Sequence, residues 1–267
     1  MLWPMQSQHF DWLVPDWPAP PQVKAVCTTR QGGVSTGIYA GLNLGTHVGD
    51  DAVAVQANRQ QLQAALGVHA VFLNQVHGTE VHTLDPFTLD QTTADAALTE
   101  QARLACTVMV ADCLPVLLCD VQGRRVLAAH AGWRGLLGVG GQGVLERSVA
   151  AIRQGLAVEP HMAEVPLMAW LGPCIGPQAF EVGDDVRDAF VRESEASARW
   201  FQPVRPAKWL ADLAALARQR LAAMGIERTF GNNSTPAWCT VSNPSRFFSH
   251  RRDGVSGRMA ACIWREV

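Results

Sequence analysis

Charge is scarce in this chain. Only 17% of its 267 residues are Asp, Glu, Lys or Arg, against about a quarter in an average soluble domain. That shortage argues against a charged, tail-bearing scaffold. With 48% hydrophobic content, it points to a compact body with a sizeable core. No sign of charge dominates. The 22 basic and 24 acidic side chains leave a net charge of -2, so neither nucleic acid nor an anionic membrane is expected as a partner. Long apolar runs are missing too, since nothing approaches the ~20 residues of a membrane-spanning helix. The opening "MLWPMQSQHFDWLVPDWPAPPQ" has no basic start and is broken by prolines, acids and amides. It reads as an irregular arm over 1–22 rather than a secretory signal. Cysteine pairs at Cys-x-x-Cys spacing are also lacking. The seven cysteines, at 27, 106, 113, 119, 174, 239 and 262, are odd in number, which argues against a disulfide framework or a zinc finger. Free thiols in a reducing cytoplasm are the expectation.

The patterns that are present describe strands in clusters between helices. "VKAVCTTR" predicts a strand. "DDAVAVQANRQQLQAALG" predicts a helix, with Val55, Leu62 and Leu66 on one face and Gly67 past its end. "AVFLNQVHG" and "TEVHTLD" predict two short strands around a turn at Gly78. "ACTVMVADCLPVLLCD" predicts two strands broken near Asp112–Pro115, and "RRVLAAHAG" another. Leu145, Val149, Ile152 and Leu156 repeat at helical spacing, and "PLMAWLG" reads as a buried strand. "DDVRDAFV" and "PAKWLADLAALARQRLAAMG" predict helices, the second with a stripe of Leu210, Leu213, Ala217, Leu221 and Met224. "GRMAACIWREV" closes the chain as a strand. Strict βα alternation is absent, so the expected class is α+β with mixed sheets, in a single domain over 23–267.

Within "CLPVLLCDVQGRRVLAAHAGWRG" (113–135), a thiol and an imidazole stand at the edges of two buried strands. His77, in "QVHG", stands at a comparable break. Sites are often built at such strand ends beside glycine-rich loops. Cys113 and His130 read as core filler, as a nucleophile with its base, or, with His77, as three ligands of a metal. Ligands drawn from distant segments with an open fourth position suit a catalytic rather than a structural zinc.

At these residues the chain resembles the YfiH/laccase-domain family. The blocks that carry the likeness are "NQVHGTEVH", "ADCLPVLLCD", "AAHAGWRG", "LGPCIGPQAFEVG" and "RFFSHRRDGVSGRMAACIW", preceded by "TTRQGGVSTGIYAGLNLGTHVGDD" and "VQANRQQL". They run in fixed order from about residue 24 to the C-terminus. The resemblance implies a four-layer α/β/β/α fold. It also implies a zinc site made by His77, Cys113 and His130 beside a pocket, with copper as the alternative metal. Members of the family are described as purine nucleoside enzymes. They phosphorolyse adenosine, inosine and methylthioadenosine, and they deaminate adenosine. Other descriptions are polyphenol oxidase and peptidoglycan-editing amidase.

The laccase description fits the composition poorly. Four coppers call for about ten histidines, typically in His-x-His pairs, and this chain has eight histidines and no such pair. A His2Cys zinc suits deamination better, with Asp112 as the proton carrier or, in the plainer reading, as a turn cap. Glu80 and Glu181 are weaker candidates for that role. Phosphorolysis requires cations that grip phosphate. The candidates are Arg30, Arg134, Arg251, Arg252 and Arg258, of which Arg30 and one of Arg251 or Arg258 are preferred, with Asn43 as a further substrate-binding residue or a brace of the loops. Cys174 reads as buried filler or a second thiol near the pocket, and Trp133 as packing or a base-stacking platform. A thiol hydrolase with Cys113 as nucleophile is the rival reading. A non-catalytic metal-binding protein is the third. The expected ligand is a small molecule and the expected assembly a monomer or weak dimer. Two departures from the family pattern stand out. His250 replaces a usual tyrosine in "FFSHRRD", and glycines at 138, 140, 141 and 143 interrupt the start of a helix.

Overall fold

A computed structural model describes residues 10–156 and 164–267; the first nine residues of the expected arm, and the histidines at 9 and 161, lie outside the described residues. In chain order the elements are β1 (Val23–Cys27), α1 (Ala52–Leu66), β2 (His69–Phe72), β3 (Val81–Thr83), β4 (Ala96–Thr99), β5 (Leu104–Val110), β6 (Leu114–Asp120), β7 (Val126–Ala131), α2 (Trp133–Leu137) and α3 (Val144–Arg153). After these come β8 (Leu167–Leu171), β9 (Glu181–Gly183), α4 (Asp184–Glu193), β10 (Phe201–Arg205), β11 (Lys208–Ala211), α5 (Leu213–Ala223), β12 (Thr229–Gly231), α6 (His250–Asp253) and β13 (Met259–Arg265).

Two mixed sheets stack face to face. One has the order β1-β13-β5-β2 and the other β12-β8-β6-β7-β4-β3. The period of two along each strand sorts its side chains between layers. Cys106 and Val108 of β5, Ala261 and Ile263 of β13, Leu117 and Cys119 of β6, and Met168 and Trp170 of β8 fill the space between the sheets. Their neighbours face outward. Ala105, Met109, Ala260 and Cys262 meet Leu62 and Leu66 of α1. Val116, Leu118, Ala169 and Leu171 meet α3, α4 and α5 through Val149, Ile152, Phe190, Leu216 and Leu221. The expected α+β, four-layer α/β/β/α arrangement is therefore the one observed. It has an added antiparallel sheet of order β10-β11-β9.

Local chemistry sets the helix ends. The Asp51 carboxylate accepts hydrogen bonds from the amides of Val53 and Ala54, and Gly67 takes the left-handed conformation at φ 68°. The arm from residue 10 onward is irregular. It docks through Trp12, packed in one buried cluster with Leu62 and Leu66 of α1, through an isolated bridge from Leu13 to Cys27, and through an ion pair of Asp11 with Arg246.

Two expectations are corrected. The helix expected over "PAKWLADLAALARQRLAAMG" begins only at Leu213. Lys208–Ala211 is a strand paired with β10 and β9. The Asp212 side chain caps the helix by accepting from Ala215 N, so Leu210 belongs to a sheet rather than to the helical stripe. The strand expected through "AVFLNQVHG" stops at Phe72, and β2 and β3 join different sheets. The reason is that the chain must pass from one sheet to the other between them, and His77 lies in that crossing. The glycine run is structural as well. It separates α2 from α3 as a tight turn with a Val139–Gln142 bridge, and Arg220 donates to Gly141 O while pairing with Glu146.

Candidate metal centre and active-site cavity

Two crossings between the sheets and the end of one strand bring the site together. His77 sits in the loop between β2 and β3 with φ 59°. Cys113 ends the turn between β5 and β6, where Asp112 takes φ 94°. His130 lies near the end of β7, opposite Pro115 of β6. Their donor atoms lie within 4.8 Å of one another. Cys113 Sγ is 3.6 Å from His77 Nε2, and the two imidazoles meet edge to face at a centroid distance of 4.8 Å.

The supporting groups explain why these residues stay where they are. Asp95, wholly buried, accepts from the backbone amides of Val76, His77 and Gly78 at 3.2, 2.9 and 2.7 Å. Its Oδ1 also lies 2.8 Å from His130 Nδ1. Gln75 ties the same loop to β5. Its side-chain amide donates to Met109 O at 2.8 Å and accepts from Met109 N at 2.7 Å. The turn at Asp112 is held by its own carboxylate, which accepts from Thr240 Oγ1 and from the amide of Arg251, each at 2.6 Å. That is a brace of the kind the capping alternative describes. Gly132 supplies clearance, because a Cβ there would meet His77 Cδ2 at 2.8 Å and Cys113 Sγ at 3.1 Å.

Electrostatics set one thiol apart. Burial pushes the thiols of Cys27, Cys106, Cys119, Cys174 and Cys262 up, as expected for inert core groups. For Cys113 burial also acts upward and is the largest single influence. The charge of His130 and hydrogen bonds from His130 and His77 together outweigh it and draw the thiol down to about 6. Burial opposes charge on His130, but Cys113 and Asp95 override it and raise that imidazole. Asp95 is likewise pushed up by burial, and held below its ordinary value by His130 and the amides of Gly78 and Val76. Without a metal, these opposite shifts favour a thiolate–imidazolium pair near neutral pH.

The donor set fits a zinc ion. Ligands at ~2.0–2.3 Å from zinc stand roughly 3.3–3.8 Å apart in a tetrahedron; Cys113 Sγ and His77 Nε2 already stand 3.6 Å apart, and all three donors lie within 4.8 Å of one another. Among the described residues they form the one group of three or more His, Cys, Asp or Glu close enough to share an ion.

These residues open onto a cavity of about 380 Å3, within the roughly 300–1,000 Å3 of small-molecule sites. Arg134, Arg251 and Arg258 line it, as do Asp112, Trp133, His250, and the apolar Met109, Ile175, Phe180 and Leu213. Not every residue selected from the sequence comes here. Arg30 stays outside the lining, with its guanidinium donating to Pro244 O and Ala40 O and lying 4.5 Å from the Phe248 ring centre. Asn43, fully buried, accepts from the amides of Gly45 and Arg258, so it braces Arg258 from behind. Arg252 is spent on Asp253 and on backbone carbonyls, and Glu80, Glu181 and Cys174 are absent from the wall. Sequence reasoning missed Asp95, Gln75 and His47. Gln75 and His47 lie inside blocks already singled out, but nothing local marks Asp95 in "ADAALT".

Comparison with known proteins bears on this geometry. Residues 24–266 match the family described as multi-copper polyphenol oxidoreductase laccase. A protein of Pseudomonas aeruginosa named purine nucleoside phosphorylase is 46% identical, covering 95% of this chain and 98% of its own. The Escherichia coli protein named purine nucleoside phosphorylase YfiH is 46% identical, over 94% and 98%. Among solved structures, Neisseria meningitidis protein NMB0706 superposes with a TM-score of 0.86 at 46% identity, covering 96% of this chain and all of that one. A hypothetical protein YfiH of Bacillus licheniformis superposes at 0.84 and 28% identity, over 98% and 99%.

Proposed function

The chain belongs to the family described as multi-copper polyphenol oxidoreductase laccase, and from that premise we propose that it is a zinc-dependent purine nucleoside phosphorylase, acting on adenosine, inosine and methylthioadenosine. The observation that carries this reading is the shared cavity. One His2Cys donor set, three arginines and an apolar wall surround about 380 Å3, and relatives at 46% identity carry the phosphorylase name. Phenol oxidation by several coppers lacks support, because the described residues offer one donor cluster and the chain has no His-x-His pair.

His77, Cys113 and His130 would hold the ion, which when bound supplies Lewis acidity at an open position. The chain's own groups do the rest. Phosphorolysis joins a phosphate oxygen to the anomeric carbon while the bond from that carbon to the purine nitrogen breaks and the base leaves with its electron pair. Arg134, Arg251 and Arg258 provide the positive charge that holds phosphate against the sugar. Arg251 is steadied through its Nη1, which donates to Ala179 O and Glu181 O. Trp133, Phe180, Ile175 and Leu213 exclude water and pack a planar base. Deamination of adenosine is the finer part of the proposal. Its proton carrier is Asp112, the one carboxylate lining the cavity among the described residues; both of its oxygens accept hydrogen bonds, from Thr240 Oγ1 and the Arg251 amide, so taking up a proton requires it to release one of them.

One observation favours a second reading. The 3.6 Å contact of Cys113 with His77 and the lowered thiol are what a Cys–His amide hydrolase would use without metal. Metal-defined protein incubated with each nucleoside, with and without phosphate, separates the two. Phosphate-dependent release of free base supports phosphorolysis, and inosine formed from adenosine without phosphate supports deamination. No product from protein carrying one zinc per chain sinks the proposal. Hydrolysis of a muramyl peptide by chelated protein supports the thiol hydrolase.

A further inference from the structure

We propose that Asp95 is the positioning residue that sets both histidines of the metal site at once; the inference rests on the metal-binding reading above. Its two oxygens divide four donors. Oδ1 accepts from the amide of His77 at 2.9 Å and faces His130 Nδ1 at 2.8 Å. Oδ2 accepts from the amides of Val76 at 3.2 Å and Gly78 at 2.7 Å. The side chain is fully buried, so water does not substitute for a lost partner. The backbone around it is tied down as well. Asp95 O accepts from His130 N at 2.7 Å, and Asp95 N donates to Glu80 O at 3.0 Å.

Two consequences follow from the acceptor-only character of a carboxylate. The proton of neutral His130 is fixed on Nδ1, which leaves Nε2 free to bind metal. Three successive amides converging on one carboxylate also hold the 76–78 turn, with His77 at φ 59°, a conformation that side-chain-bearing residues seldom take. One buried group thus orients a ligand on a strand and a ligand on a loop.

Asparagine is isosteric but has a single acceptor oxygen. If that oxygen occupies the Oδ1 position, the amides of Val76 and Gly78 oppose an NH2 group. If the amide flips, its NH2 donates to His130 Nδ1 and drives the imidazole proton onto Nε2, where it blocks the metal. Either orientation weakens binding.

The test measures zinc affinity by chelator competition for the full chain and its Asp95→Asn variant, alongside 15N-histidine NMR of the zinc-loaded wild type. The expected results are a 10–100-fold loss of affinity in the variant and a His130 proton on Nδ1 in the wild type. A purely structural role would leave the tautomer unconstrained, and the NMR measurement decides the matter if the variant does not fold. Affinity within twofold of wild type, or a wild-type His130 protonated on Nε2, overturns the inference while leaving the metal reading intact. A wild-type chain that takes up no zinc overturns both.

Discussion

Gly132 and His77 are packed so closely that no side chain fits between them: a Cβ on Gly132 would lie 2.8 Å from His77 Cδ2. The glycine lies at φ -70°, where any residue is comfortable, so clearance for the imidazole rather than backbone freedom selects it.

Gly132→Ala is therefore expected to displace His77 or the Cys113 thiol, which a Cβ would meet at 3.1 Å. Overpacking of this kind costs about 1–3 kcal/mol. A folded variant with clearly weaker zinc retention on dialysis is the expected outcome. Unchanged zinc content would show that the cluster has more slack than the packing implies.

Removing the metal should lower the melting temperature. A ligand that binds only the folded chain stabilises it by about 2.7 kcal/mol at a hundredfold excess over Kd. Thermal melts of zinc-loaded and chelated protein should differ by several degrees, and the difference should vanish in Cys113→Ser.

In the metal-free protein the Cys113 thiol is drawn down to about 6, chiefly because His130 and His77 outweigh the upward effect of burial. The imidazolium favours the charged thiolate, so thiolate absorbance should persist well below the ordinary thiol range and fade only as pH falls through about 6. His130→Ala should move that midpoint upward. A titration near the usual thiol value in the unsubstituted protein would contradict the ion-pair assignment.

Arginine substitutions should separate cavity from scaffold. Arg258 lines the cavity and Arg30 does not. Arg258→Ala should raise KM for phosphate about 10–150-fold, the range for losing a charged hydrogen bond of about 1.5–3 kcal/mol. Arg30→Ala should leave that KM nearly unchanged and lower the melting temperature, because it removes two bonds to backbone carbonyls and the stacking on Phe248. Steady-state kinetics in phosphate checks both.

The corrected start of α5 is testable as well. Asp212 accepts from Ala215 N at 2.9 Å and from Ser234 Oγ at 2.8 Å, so Asp212→Ala should cost about 0.5–2 kcal/mol in denaturant unfolding. A helix running through Lys208–Ala211 would place Asp212 in its interior and make that substitution neutral or stabilising.

Much of the fold is legible in periodicity, because burial between layers imposes it. Leu117 and Cys119 against Val116 and Leu118 show the period of two that a strand covered on both faces sorts between its neighbours. The expected helix through Leu210 failed because short strands and helix starts share the same apolar residues, and only the pairing of Trp209 with Val182 and Pro203 decides between them. At the site, the resemblance singled out His77, Cys113 and His130, while Asp95 left no trace. Its acceptors serve amides seventeen to nineteen residues away and an imidazole thirty-five residues away, and no local spacing encodes that.

What the chain's own sequence determined is the inventory: which segments are apolar enough to be buried as strands, where helices stop, and which side chains could ligate or react. Which of those side chains meet was decided by tertiary structure alone. The crossings between the two sheets bring the turn at Asp112, the loop at His77 and the end of β7 to one point, and they leave Arg30 and Asn43 behind the wall. The physical reason is that metal ligation and hydrogen bonding act over a few ångströms in space, whereas distance along the chain constrains spatial distance only through the fold.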